Sequence, residues 1–172
     1  WNWHPGPDFR VYSHEPFVYT MSSSSNCRSS LLEIPATVDF LQSPRALATT
    51  TYHAIEGMPL GPKVLAALRR LGALNRVCLS PETDDTKDMI RLAETLARRG
   101  ARVLNLFFHT PTLLEGCSPF ARTPADVETL LRRIDDFLAF AMAAGFTPVT
   151  VSELAACDVG ASKVSDLAAA AK

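Results

Sequence analysis

From Leu31 onward the chain alternates short apolar runs with longer stretches in which apolar residues recur every three or four positions. Leu31-Leu32-Glu33-Ile34-Pro35 suits a strand that Pro35 ends or places at an edge. Helical spacing follows at Val64, Leu65, Leu68 and Leu71, with Pro62 suited to a first turn and Gly72 where a C-cap glycine belongs. Arg76 to Ser80 predicts a strand. A helix is expected from about Thr86 to Arg99, with Asp84 and Asp85 near its start, Arg98 and Arg99 in its last turn and Gly100 beyond it. Arg102 to Phe108 is almost continuously apolar, which predicts a strand buried on both faces of a parallel sheet. Thr123-Pro124-Ala125-Asp126 combines an N-cap, a first-turn proline and an early acid. Val127, Leu130, Leu131, Ile134, Phe137, Leu138 and Ala141 then mark one face of a long helix stopping at Gly145. Thr147 to Val151 is β-branched and strand-like, and Ser152 with Glu153 begins a short helix.

Strands alternating with helices imply right-handed crossovers, so the expected class is α/β, mainly parallel strands with helices outside. Residues 1–30 are rich in Pro, Ser and aromatics without period, and Met21 to Ser30 reads as an exposed loop. The Ala-rich end from Ala161 to Lys172 reads as a helix or a frayed tail, so the expected division is a domain over 1–158 and a tail over 159–172. No internal repeat is evident, which sets solenoids aside.

With 172 residues, 47% of them apolar, one domain with its own core is the default. Seventeen basic and eighteen acidic residues leave a net charge of −1, so no global field draws in nucleic acid or an anionic membrane. No apolar run approaches the roughly 20 residues that span a bilayer, and the N-terminus lacks the features of a signal peptide. Cys27, Cys78, Cys117 and Cys157 lie far apart without a C-x-x-C pair, which removes zinc-ribbon and thioredoxin readings. Cys78 fits a small core residue, and the absence of a disulfide framework favours a reducing compartment such as the cytoplasm. Trp1 precedes the first methionine, Met21, so the expectation is a processed chain or a fragment.

In parallel α/β folds, functional residues collect at the carboxyl ends of the strands. Those ends place Glu82, Asp84 and Asp85 after one predicted strand, and His109 with Thr110 after the next. His109 has two readings, as a group that caps backbone or packs under the following loop, and as a functional imidazole beneath the long loop Thr110 to Arg122. Acids just before a helix are usually caps and dipole partners, so Asp84 and Asp85 give way to Glu82 as the acid able to hold His109. His4, His14 and His53 form no ligand spacing, and three ligands for a hydrolytic zinc do not assemble. Arg98-Arg99 and Arg132-Arg133 read as solvated charges on helix faces. A Gly-rich phosphate loop and a G-x-S-x-G elbow are both missing.

Several segments, taken in order, resemble one family. They are Gly6-Pro7-Asp8-Phe9-Arg10, Pro16-Phe17, Leu31 to Thr37, Leu79-Ser80-Pro81-Glu82, Phe108-His109-Thr110-Pro111-Thr112-Leu113, Gly116, Ser118-Pro119-Phe120 and Val149 to Leu154. Together they resemble the C-terminal part of the polysaccharide deacetylases, the NodB-homology family, over nearly the whole chain to Leu154. The resemblance implies part of a distorted (β/α) barrel and a hydrolase that removes N- or O-acetyl groups from a carbohydrate. It implies a divalent, zinc-like metal held by an aspartate and two histidines. The two motifs that carry those ligands, a Thr-Phe-Asp-Asp-Gly-like strand end and a His-x-x-x-His helix, are absent from this sequence. No metal is therefore expected for this chain alone. His109 matches the late family histidine that acts as general acid toward the leaving amine, and Glu82 lies roughly where an acid tuning that histidine is found, without the usual aspartate and tryptophan.

Two readings stay in competition: the C-terminal half of a metal-dependent deacetylase, inactive alone, and a non-catalytic carbohydrate-binding or scaffold protein of the same fold. A nucleotide-binding α/β domain lacks its motif. The expected partner is a carbohydrate, with no nucleic acid and no membrane. Half a barrel exposes sheet edges and apolar faces, so the chain is also expected to dimerise or to depend on a missing N-terminal segment.

Overall fold

A computed structural model describes residues 15–22, 28–156 and 162–164. In chain order its elements are β1 (Phe17–Ser22), β2 (Arg28–Glu33), β3 (Val38–Phe40), α1 (Arg45–Glu56), α2 (Gly61–Arg70), β4 (Arg76–Cys78), α3 (Thr86–Arg98), α4 (Pro124–Ala143), α5 (Val151–Ala156) and β5 (Ser162–Val164), with a 3-10 turn at Thr110–Leu113. The chain divides into two compact units, Trp1–Pro35 with Val149–Lys172, and Ala36–Pro148.

In the first unit β1 pairs antiparallel with β2 and parallel with β5, in the order β2-β1-β5. Residues expected in an exposed loop, Met21, Ser22 and Arg28 to Ser30, instead carry ladder pairs, because β1 and β2 lie opposite one another in register. Thr147 to Thr150 forms no strand. Thr150 caps the start of α5, its hydroxyl accepting the Glu153 amide at 3.2 Å while the Glu153 carboxylate accepts the Thr150 amide at 2.7 Å. That reciprocal capping favours a helix start over continued extension. Of the expected tail, residues 162–164 form β5, and the remainder lies outside the described residues.

The second unit is built around β4 and α3. Val77 and Leu79 are fully buried, and α3 sets Met89, Leu92, Ala93 and Leu96 against them at helical spacing, with Phe137 of α4 completing the cluster. Fully burying each Val, Leu, Met or Phe side chain of this cluster contributes about 1.5–3 kcal/mol. Asp85 caps α3 by accepting the Asp88 amide at 2.8 Å, and Thr123 with Asp126 forms a complete capping box on α4. A smaller cluster joins Phe40, Ala48 and Leu74, with Tyr52 and Ile55 of α1 and Leu65 and Leu68 of α2 packed on it.

The β3–β4 pair runs antiparallel, where parallel pairing was expected. Residues 102–108 are half-buried or exposed and belong to no strand. The Phe107 amide donates to the Leu79 carbonyl at 3.1 Å, but the Asn105 amide turns to the Thr37 hydroxyl at 2.7 Å. A side chain thus takes a donor that a continuous ladder needs, and the apolar run stays irregular.

Two arginines read as solvated are structural. Arg99 donates to Asp39 Oδ2 at 3.2 Å, to the Phe40 carbonyl at 2.9 Å and to the Gln42 carbonyl at 2.7 Å, and Arg45 donates to Asp39 Oδ1 at 2.8 Å. The buried Asp39 carboxylate thus ties β3 to α1 and to the end of α3. Arg133 donates to the Pro81 carbonyl at 2.8 Å.

Candidate functional site

Beyond β4 the chain turns through Ser80, Pro81 and Glu82, and Arg133 of α4 fixes the middle of that turn through the Pro81 carbonyl. The Glu82 side chain is 2% exposed, whereas that of His109 is 69% exposed. A carboxylate removed from water needs its lone pairs filled, and three donors fill them here. The His109 amide donates to Oε1 at 2.9 Å, the Thr112 hydroxyl donates to the same oxygen, and the His109 ring meets Oε2 through Nδ1 at 2.8 Å. All three donors come from one stretch, His109 to Thr112, because the 3-10 turn begins there and Thr112 is fully buried beneath it.

Burial pushes the Glu82 carboxyl up. The Thr112 hydroxyl, the His109 amide, the His109 ring and its charge outweigh that and hold the group below its usual range. An ionised Glu82 can only accept, so Nδ1 of His109 carries the proton and donates. Nε2 is left as the nitrogen that can give or take a proton from outside, and among the described residues it has no hydrogen-bond partner.

The two readings of His109 make different geometric demands. A capping histidine would bond backbone groups at the turn it precedes, yet its side chain makes no cap hydrogen bond. A packing histidine would be covered, yet this one is mostly exposed. Phe120 stands beside it, with ring centroids 6.2 Å apart and planes 7° from parallel.

Asp84 and Asp85 do not join this group. Asp85 is the cap of α3, and the buried Asp84 binds Arg69 together with the Cys78 amide at 3.0 Å and the Thr83 hydroxyl at 3.0 Å. His53 lies on α1 beside Glu56, with Nδ1 3.2 Å from Oε2. His4, His14 and Asp8 lie outside the described residues, as do Cys27 and Cys157. Among the described residues no three or more His, Cys, Asp or Glu side chains are placed to hold a metal ion, and no helix is long and apolar enough to cross a membrane.

Thr112, Phe120 and Arg133 are the site's unforeseen members. The His-Thr-Pro-Thr run carries a signal for the first, since a short turn after His109 brings the third residue back toward whatever the histidine binds. The contacts of Phe120 and Arg133 leave no comparable trace in local sequence. Comparison with family models, with curated proteins and with solved structures found no match for this chain.

Proposed function

We propose that the chain serves as the C-terminal part of a polysaccharide deacetylase-like domain, a distorted (β/α) barrel that hydrolyses the carbon–nitrogen or ester bond of an acetylated carbohydrate. The observation that carries this reading is a buried, ionised Glu82 that holds an exposed His109 imidazole by Nδ1. A carboxylate that orients an imidazole is the recurring arrangement behind histidine acid–base catalysis. Amide hydrolysis requires a proton for the departing nitrogen as the carbon–nitrogen bond breaks, and protonated Nε2 supplies it. Glu82 keeps the ring aimed during the transfer. Thr112 and the His109 amide in turn keep Glu82 ionised and fixed.

The divalent metal that the resemblance implies finds no fitting donor set among the described residues. The described residues would contribute proton transfer at Nε2 and orientation of that ring. The alternative reading is a carbohydrate-binding or scaffold protein of this fold without catalysis.

Turnover separates the two. The parent protein, expressed with any upstream coding sequence, is assayed for acetate release from N-acetylglucosamine oligomers. His109→Ala should lower kcat by about 10²- to 10⁴-fold in a variant that still folds, its melting temperature falling only as far as the lost bond to Glu82 requires, comparable to the fall for Thr112→Val. Normal turnover in a folded His109→Ala variant removes the histidine from the mechanism, and no acetate release by the wild type on N- or O-acetylated glycans favours the binding protein.

A further inference from the structure

Phe120 is 44% exposed and is held by an ordered turn beside His109. Ser118 and Ala121 form a bridge across that turn, the Phe120 amide donates to the Ser118 hydroxyl at 3.2 Å, and the Gly116 amide donates to the Ala121 carbonyl at 2.9 Å. Gly116 has φ +71°, which admits the reversal without side-chain strain, and the fully buried Ala121 anchors the turn. The turn thus keeps a partly exposed apolar residue parallel to the imidazole that Glu82 holds through Nδ1. Burial in the core does not explain this placement, because the ring stays wet.

We infer that Phe120 is the substrate platform of the His109 site, its exposed face receiving the C–H face of a pyranose so that a substituent of that sugar lies at Nε2. The inference rests on the carbohydrate reading above. A flat aromatic face gains dispersion and hydrophobic burial against the axial C–H groups of a neutral sugar without needing charge. The two ring centres lie 6.2 Å apart, so a sugar seated on Phe120 lies within reach of the imidazole. Glu82 holds the imidazole through Nδ1, Phe120 holds the sugar, and the two arrangements meet at Nε2.

The test is titration of the intact chain with the tetramer of N-acetylglucosamine. Calorimetry reads affinity, and ring-nitrogen NMR reads His109. The wild type should bind with a shift at His109 Nε2. Phe120→Ala and Phe120→Leu should bind at least about tenfold more weakly, and Phe120→Trp within about twofold of the wild type. Phe120→Leu keeps apolar volume and loses only the flat face, and melting temperatures certify the fold of each variant. Equal affinity of the wild type and Phe120→Leu, with His109 still perturbed, overturns the platform and leaves the carbohydrate reading standing. A wild type that binds neither this tetramer nor its deacetylated form overturns both.

Discussion

Thr112→Val isolates the hydroxyl that helps keep Glu82 ionised. Valine matches threonine in shape, so the fully buried site acquires no cavity, and the change amounts to one donor lost from a buried carboxylate. A hydrogen bond to a charged group contributes about 1.5–3 kcal/mol. Because Oε1 keeps the His109 amide and Oε2 keeps the ring, the lower end applies, about 1.5 kcal/mol. For a unit of this size that corresponds to a fall in melting temperature of roughly 5–8 °C near neutral pH. The pH dependence has a fixed sign. Glu82 titrates below its ordinary 4.5 in the folded chain, so its contribution is complete above that value and is lost as pH falls through the depressed folded value. Removing the donor moves the folded value back toward 4.5, so the gap between variant and wild type should narrow on acidification. Thermal melts of the wild type, Thr112→Val and Thr112→Ser between pH 3 and pH 7 read all of this, with Thr112→Ser expected to stay near the wild type. A Thr112→Val melt within about 1 °C of the wild type at pH 7 would show that the hydroxyl does not hold the carboxylate.

Gly61 opens α2 against the end of α1, and a Cβ there would meet the Ile55 carbonyl oxygen at 2.1 Å and the Glu56 oxygen at 3.1 Å. Gly61→Ala should therefore cost about 1–3 kcal/mol or more in urea denaturation, while Gly57→Ala, whose nearest neighbour is 3.8 Å away, should be nearly silent; similar midpoints for the two variants would refute the close approach. Burial pushes the Cys78 thiol up, and the Asp84 carboxylate adds to the rise, whereas Cys117 is exposed. Peptide mapping after brief alkylation at pH 7.5 should find Cys117 modified about tenfold faster or more than Cys78, and equal rates in the folded chain would contradict this.

Local signals were legible where they were strong and redundant. The helices α3 and α4 carry caps, early acids, helical apolar spacing and terminal glycines, and every one of those signals agrees. In contrast, α1 contains Thr49-Thr50-Thr51 and buries only Ala48, so its helicity depends on Tyr52 and Ile55 finding the Phe40 cluster. β3 is three residues long with Asp39 at its centre, and that acid is acceptable only because Arg45 and Arg99 arrive from distant positions. The run at 102–108 has the composition of a buried strand, but Thr37 diverts a hydrogen bond that local sequence cannot foresee. At the site, Glu82 and His109 stood out as the polar groups ending apolar runs. Their hydrogen bond, and the roles of Thr112 and Phe120, depend on a 3-10 turn and a bridge that exist only once the chain has folded.

The three donors on Glu82 have a consequence for how the site fails. One backbone amide, one side-chain hydroxyl and the imidazole itself all belong to the single turn from His109 to Thr112, so displacing that turn breaks all three contacts at once. The site is then a switch with two settings, assembled or released. Weakening one contact by mutation lowers the barrier to losing the others, so the effects of Thr112→Val and Glu82→Gln should not add. A double-mutant cycle between them would measure the stiffness of the turn, a property invisible in any single distance within it.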